Sequence, residues 1–366
     1  MGIRKRAVEA VVNPDRWKGK RVFLTGHTGF KGGWLALWLD RLGAEVHGYA
    51  LDPLPGPGFF EKAGVAKSLA SDTRADLDDA AGLTSLVERL RPDFIFHLAA
   101  QPLVRQSYAE PVRTFRTNVM GTIHVLEAAR ATDSVRDVVV VTTDKVYHNR
   151  EWRFPYREVD RLGGRDPYSA SKAAAEVATE AYRASFFSGR GAARISTARA
   201  GNVIGGGDWS EDRLVPDCLR AFAAGETVRL RNPHAVRPWQ HVLDPLHGYL
   251  VLGERMMSGD GDFATGWNFG PTDTDGTSVG EVAEMIAGLW GGDARVELSP
   301  GGDEPHEAGL LMLDSSQARA RLGWRPRWGL RESLEMTVAW HRAFLDGADM
   351  REVSLQQIEA FTGRGA

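Results

Sequence analysis

Two residues four positions apart, Tyr168 and Lys172, are well suited to move a proton. At that spacing they share one face of a helix. An ammonium beside a phenol favours the phenolate, so a tyrosine tuned this way takes a proton from a hydroxyl near neutral pH. Thr143, Asp144 and Lys145 directly follow a run of valines that ends in Thr142. In an open α/β sheet ligands bind at the carboxyl ends of strands, so both groups are expected on one crevice. Gly26, Gly29 and Gly32 lie in the string Thr25–Gly32 as Gly-x-x-Gly-x-x-Gly. Glycines there allow a tight turn and let a pyrophosphate approach the backbone at a helix N-terminus. A glycine triplet alone is a weak signal; a strand before it and a helix after it make it strong. Together the three groups imply hydride chemistry on an alcohol. The bland alternatives are a mere tight turn for the loop and a surface ion pair for Asp144 and Lys145.

The elements that must position these residues follow from periodicity. Buried strands are predicted at 21–24, 45–51, 93–98, 137–142 and 193–198, with helices at 32–42, 79–91, 118–131 and 169–186. Continuously apolar strands alternating with amphipathic helices mean a parallel sheet covered on both faces. The expected fold is therefore α/β: a doubly wound parallel Rossmann-type sheet with a smaller C-terminal α/β substrate lobe. The boundary is expected near residue 200, with 1–200 binding the dinucleotide, a return near 239–256, and 201–366 binding substrate. Gly, Pro, Trp and Arg become frequent after that point.

Further cofactor contacts follow from position. Asp52 ends the second strand twenty residues after Gly32, where an acid binds the adenosine ribose and favours NAD over NADP. Its alternative role is to open the Pro/Gly loop that runs to Gly58. Asp76 and Leu77 fall where adenine would lie, and Leu98, Ala99 and Ala100 leave room for the cofactor. Within the loop, Thr28 and Phe30 complete the string. His27 narrows the loop or touches cofactor, and Lys31 meets phosphate; for both, the alternative is a solvent-facing side chain.

The 366 residues carry a formal net charge of −3, 43% hydrophobic and 25% charged residues. That balance gives no reason to expect nucleic acid or a membrane surface as partner. No apolar run reaches the length of a membrane span. The basic opening Met1–Arg6 reads as a solvated tail. Cys218 is the one cysteine, which excludes an intrachain disulfide and a Cys-based metal site and suits a reducing cytoplasm. The histidines show no metal-ligand spacing, so no metal is expected.

The glycine string, Tyr168-x-x-x-Lys172 and Thr143 at a strand end resemble the extended short-chain dehydrogenase/reductase superfamily over nearly the whole chain. Within it, Thr143-Asp144-Lys145 resembles the nucleotide-sugar 4,6-dehydratases. Lysine in the last slot, with the strings Thr25–Gly32, Ala200–Trp209 and Arg231–Val242, resembles those acting on CDP-glucose. The resemblance implies NAD as cofactor, CDP-glucose as substrate and a homodimer packed through helices such as 169–186. It implies transient oxidation at C4, with Tyr168 as base and Thr143 assisting, then loss of water across C5 and C6. Asp144 is then the acid at the 6-hydroxyl and Lys145 the base at C5, or else a cation that stabilises the enolate. Asn118 joins the cofactor contacts. Asn202, Arg237 and His241 meet the nucleotide diphosphate, Arg213 joins them if its loop folds over the site, and Val215 lines the base pocket. Trp209 and Trp239 stack on base or sugar, or pack the lobe. The other readings are a 4-epimerase, a dehydratase for another nucleotide sugar, and a non-catalytic NAD-binding protein.

Overall fold

Strand β1 (Arg21–Thr25) is buried from Val22 onward and runs straight into the glycine turn. It is followed by α1 (Phe30–Arg41), β2 (Glu45–Ala50), β3 (Ser71–Arg74), α2 (Ala80–Leu90) and β4 (Phe94–His97). Next come α3 (Pro111–Phe115), a π-helical turn (Arg116–Met120), α4 (Gly121–Ala131) and β5 (Asp137–Val141). The long α5 (Pro167–Phe186) then leads to β6 (Arg194–Ala200). This computed structural model describes residues 10–230, 232–259, 262–272, 276–298 and 309–363. The tail Met1–Arg6 and Arg231 of the third string lie outside them.

The sheet has seven strands in the order β7-β6-β5-β4-β1-β2-β3, where β7 is Gly266–Phe269. Every pairing in it is parallel, as the strand–helix alternation predicts. The order reverses between β1 and β4, which opens a crevice beyond their carboxyl ends. After β6 the chain builds α6 (Leu214–Ala223) and α7 (Leu243–Ser258), and β7 completes the sheet beyond residue 256.

Two of the hydrophobic cores bear most on the site. The substrate side packs Val215, Cys218, Leu219 and Phe222 of α6 against Val282 and Ile286 of α8 (Val279–Trp290), with Trp239 beside them. The larger core holds α1. Gly32 to Leu39 of that helix are all buried, and a helix apolar on every side needs cover on every side. One side is the sheet. The other comes from the end of the chain, α9 (Leu330–Leu345) and α10 (Met350–Thr362). Trp38 meets Phe361 edge-on at 5.7 Å, and Trp340 joins the same core. Among the described residues no helix is long and apolar enough to cross a membrane.

Candidate active site

The glycine turn makes an empty cradle at the N-terminus of α1. A Cβ on Gly32 would stand 2.1 Å from the Gly26 carbonyl oxygen, and one on Gly26 2.7 Å from the Ala99 amide nitrogen. Only hydrogen fits at either position, and Gly26 also has φ +80°. The helix cap at Gly29 uses no side chain, so its first N–H groups face the crevice, as a dinucleotide diphosphate requires. Thr28 donates to the Leu51 carbonyl at 3.1 Å, which ties the turn to the end of β2 beside exposed Asp52. The Asp76 carbonyl accepts from the Tyr49 hydroxyl at 2.7 Å, and Leu77 is buried against Gly121. Half-buried Phe30 packs on the large core.

Beneath the turn lies a hydrogen-bonded chain that fixes the far wall. Thr122 donates to the Asn118 carbonyl, so it accepts from His97 Nε2 at 3.1 Å. His97 Nδ1 then accepts from Thr25 at 2.8 Å, and the Thr25 oxygen accepts from the amides of Leu98 and Ala99, each at 3.1 Å. Burial holds His97 neutral, with a pKa lowered to about 3. Ala100 follows half-buried.

Several side chains sit elsewhere than the sequence suggests. His27 points under the loop, fully buried, and donates to Asp72 at 2.8 Å. Its ring fills the space a Cβ on Gly48 would need, so its side chain supports the turn from below and does not face a cofactor. Asn118 accepts from the Gln101 amide at 2.8 Å and donates to the Gln101 carbonyl at 3.1 Å and to Ser171 at 2.9 Å. Both its amide protons are committed, so it fastens the loop after β4 to α5 and has none left for a cofactor. Fully buried His241 is enclosed by Trp34 and Trp328, at ring separations of 6.3 and 4.7 Å. Val215 lies in the substrate-side core with Cys218 and Leu219, because α6 turns its apolar face inward. Trp239 packs in that core and donates to the Thr277 carbonyl, while Trp209 packs on His341 and Phe344.

The reactive groups do come together. Thr143 caps a short turn at the end of β5 and donates to Asp144 Oδ1 at 3.0 Å. Asp144 is buried and its Oδ2 has no hydrogen-bond partner. Burial raises its pKa against the opposing pull of Lys145, Thr143 and Arg237. Lys145, half-buried, lines a groove with Arg165, Ser169 and Arg237. Arg237 is buried and donates to the Val236 carbonyl at 3.0 Å. The Asn202 carbonyl accepts from the Gln240 amide, which leaves that residue half-buried at the end of β6.

Tyr168 and Lys172 stand at the start of α5, which is capped by Asp166 on the Ser169 amide. Lys172 donates to the Val141 carbonyl at 3.2 Å, and burial lowers its pKa to about 8. The expectation that Lys172 lowers the Tyr168 pKa is corrected here. Burial dominates and pushes the phenol up to about 12, while hydrogen bonding to Thr143 and the charge of Arg213 pull the other way. Arg213 does fold over the site: it pairs with buried Asp208 at 3.2 Å, and its charge acts on Tyr168 and on Lys31.

Lys31 faces this centre and not solvent. Its amine stands 5.9 Å from the centroid of the Tyr249 ring. Burial, then Arg213 and Lys172, lower its pKa to about 7, against Asp144 and Asp208. The Tyr249 hydroxyl is buried without a hydrogen-bond partner. The sequence reading missed Tyr249, and it missed the buried pair Glu176–Arg199 behind Lys172. A signal for the pair was available, since charges on a buried helix face and a buried strand demand each other.

A profile of the GDP-mannose 4,6 dehydratase family matches residues 23–337. The chain is 47% identical over 355 residues to CDP-glucose 4,6-dehydratase from Salmonella typhimurium, covering 96% of this chain and 98% of that one. It is 31% identical to UDP-glucose 4-epimerase from Mycolicibacterium smegmatis, covering 88% and 98%. Among solved structures, the UDP-glucose 4-epimerase of Thermus thermophilus in complex with NAD superposes with a TM-score of 0.74, 25% identity, and coverage of 88% and 99%.

Proposed function

This chain belongs to the GDP-mannose 4,6-dehydratase family, and from that premise we propose that it is an NAD-dependent CDP-glucose 4,6-dehydratase, a hydro-lyase. The product is CDP-4-dehydro-6-deoxy-D-glucose and water. The observation that carries this reading is the buried Asp144, with Lys145 next to it, at the strand end that also presents Thr143 to Tyr168. A 4-epimerase has no need of an acid and a base for elimination.

NAD would be held by the Gly26–Gly32 backbone, Asp52 and Lys172, and would supply the acceptor for the C4 hydride and its return to C6. Tyr168 removes the proton of the 4-hydroxyl, and Thr143 holds that oxygen by the contact it already makes with the phenol. With a pKa of about 12 the phenol is scarcely ionised at neutral pH, so the hydrogen bond to Thr143 and the charge of Arg213 must favour the phenolate as the proton leaves. Once C4 is a ketone, the proton on C5 is acidic. Lys145, which lines the groove, takes it and returns it to C5 when hydride adds to C6. Asp144, whose pKa burial raises, donates to the departing 6-hydroxyl, a role that needs a neutral carboxylic acid. Arg237, on the same groove, binds the diphosphate, for which its planar fork is suited.

Two further statements belong to this reading. The chain pairs with a second copy of itself through α3 and α5, which pack together and present Val112, Phe115, Val177 and Phe186 to solvent. It works in the cytoplasm, where its single buried thiol stays reduced.

The test is incubation of the purified protein and NAD⁺ with CDP-, dTDP-, GDP- and UDP-glucose in turn. The 4-keto product is read by its absorbance in alkali. Product from CDP-glucose alone is expected; no product from CDP-glucose refutes the assignment.

A further inference from the structure

Lys172 has few neighbours that favour its charge. Lys31 reaches it from α1, neutral His97 lies beneath it on β4, and Tyr168 precedes it on its own helix. The group that supports the ammonium is Glu176, one turn further along α5.

Glu176 is held with unusual completeness for a buried carboxylate. It is 3% exposed and its partner Arg199 5%. Arg199 Nε donates to Oε1 at 2.9 Å and Nη2 to Oε2 at 2.8 Å, a fork-to-fork pair. Thr142 donates to Oε1 at 2.5 Å and Thr197 to Oε2 at 2.6 Å, so each oxygen accepts twice. Burial works against the carboxylate, but Arg199 and the two threonines win and hold its pKa below the ordinary range. Arg199 goes on to donate to the Tyr147 hydroxyl at 2.8 Å and the Glu158 carbonyl at 3.2 Å, and Tyr147 donates to Asn268 of β7 at 2.7 Å.

Thr142 is the link to chemistry. It precedes Thr143 and Asp144 and follows Val141, whose carbonyl accepts from Lys172. The carboxylate of Glu176 therefore binds the strand end that carries the reactive residues and lies one helical turn from the lysine they work with. A buried ion pair is a poor device for stability alone, because desolvation offsets its attraction. We propose that Glu176, locked by Arg199, is a positioning residue of the reaction: it keeps Lys172 charged and holds the Thr142–Asp144 strand end in line with Tyr168. This deepens the reading above and rests on Lys172 acting as a cation in it.

The test compares Glu176→Gln and Arg199→Met with the wild type by the pH profile of kcat/KM, with thermal melting alongside. It uses whichever nucleotide sugar the wild type turns over. Absence of any turnover would therefore fail the functional reading, whereas turnover with unshifted profiles would fail this inference. In Glu176→Gln the lysine loses its supporting anion and gains an unpaired cation, so the alkaline limb moves toward neutral by about one pH unit or more. In Arg199→Met the carboxylate loses the partner that holds it ionised against burial, so the limb moves toward neutral as well. A merely structural pair would lower the melting temperature of both variants and leave both limbs in place, which overturns the proposal. A limb that moves away from neutral in either variant overturns it too. If Glu176→Gln does not fold, the double variant Glu176→Gln/Arg199→Met removes the stranded charge. Its limb must then lie below that of the wild type, and a limb at the wild-type position overturns the proposal.

Discussion

Replacing Asn118 by leucine tests the bracing of the catalytic helix. Leucine keeps the branch and roughly the volume of the side chain but removes all three hydrogen bonds. Asn118 is 1% exposed, so the apolar replacement keeps water from refilling the site. Two backbone groups lose their partner: the Gln101 amide at 2.8 Å and the Gln101 carbonyl at 3.1 Å. Ser171 keeps its bond to the Tyr168 carbonyl at 2.7 Å and counts little. At about 1–3 kcal/mol for each orphaned buried group, the loss is about 2–6 kcal/mol. That is a large share of the roughly 5–15 kcal/mol by which domains are stable. Urea unfolding followed by intrinsic fluorescence reads it as a lower midpoint at an unchanged slope. Because Asn118 also ties α5 to the loop after β4, kcat should fall more than the KM for nucleotide sugar rises. A loss below about 1 kcal/mol with wild-type kcat would refute the bracing role and return Asn118 to direct cofactor contact.

Other outcomes follow from the same geometry. Tyr168→Phe should abolish oxidation at C4, whereas Lys145→Ala should allow it and block elimination, leaving reduced cofactor on the enzyme, visible by its absorbance. Full turnover by Lys145→Ala would remove that lysine from the chemistry. His241, with its pKa lowered to about 3 by burial, takes up its proton only on unfolding between that value and its ordinary 6.5. Its contribution to stability is complete above pH 6.5 and is lost as the pH falls toward 3; His241→Phe should flatten the acid side of a melting-temperature profile by one proton. Val177→Arg on the exposed face of α5 should abolish the proposed self-association in sedimentation without lowering the melting temperature.

Much of the sheet was readable because its signals are local. The apolar run ending at Val141 and the glycines before α1 are consecutive in the chain, and each points to its element without help. The reactive residues were readable for the same reason, since Thr143–Lys145 and Tyr168–Lys172 lie at the ends of such elements. What failed was the direction of single side chains. His27 sits between two loop residues that face the crevice, but the lack of a Cβ at Gly48 opens a slot below it. His241 ends a string full of polar residues, yet Trp34 and Trp328 close on it from distant parts of the chain. The Tyr168 pKa went the other way because spacing reports the neighbouring charge and is silent on burial. In the case of α1 the clue was present: Trp34 to Leu39 are apolar all round, which already calls for a second covering layer.

That second layer has a consequence for how the protein is made. Trp38 finds Phe361 only after the long stretch of chain between them has been synthesised. Until then the helix beneath the glycine turn exposes its tryptophans to the ribosome exit and to other nascent chains. The helix under the dinucleotide turn is thus covered only once α10 is in place, and loss of the final turns of α10 should leave an aggregation-prone chain rather than a working enzyme.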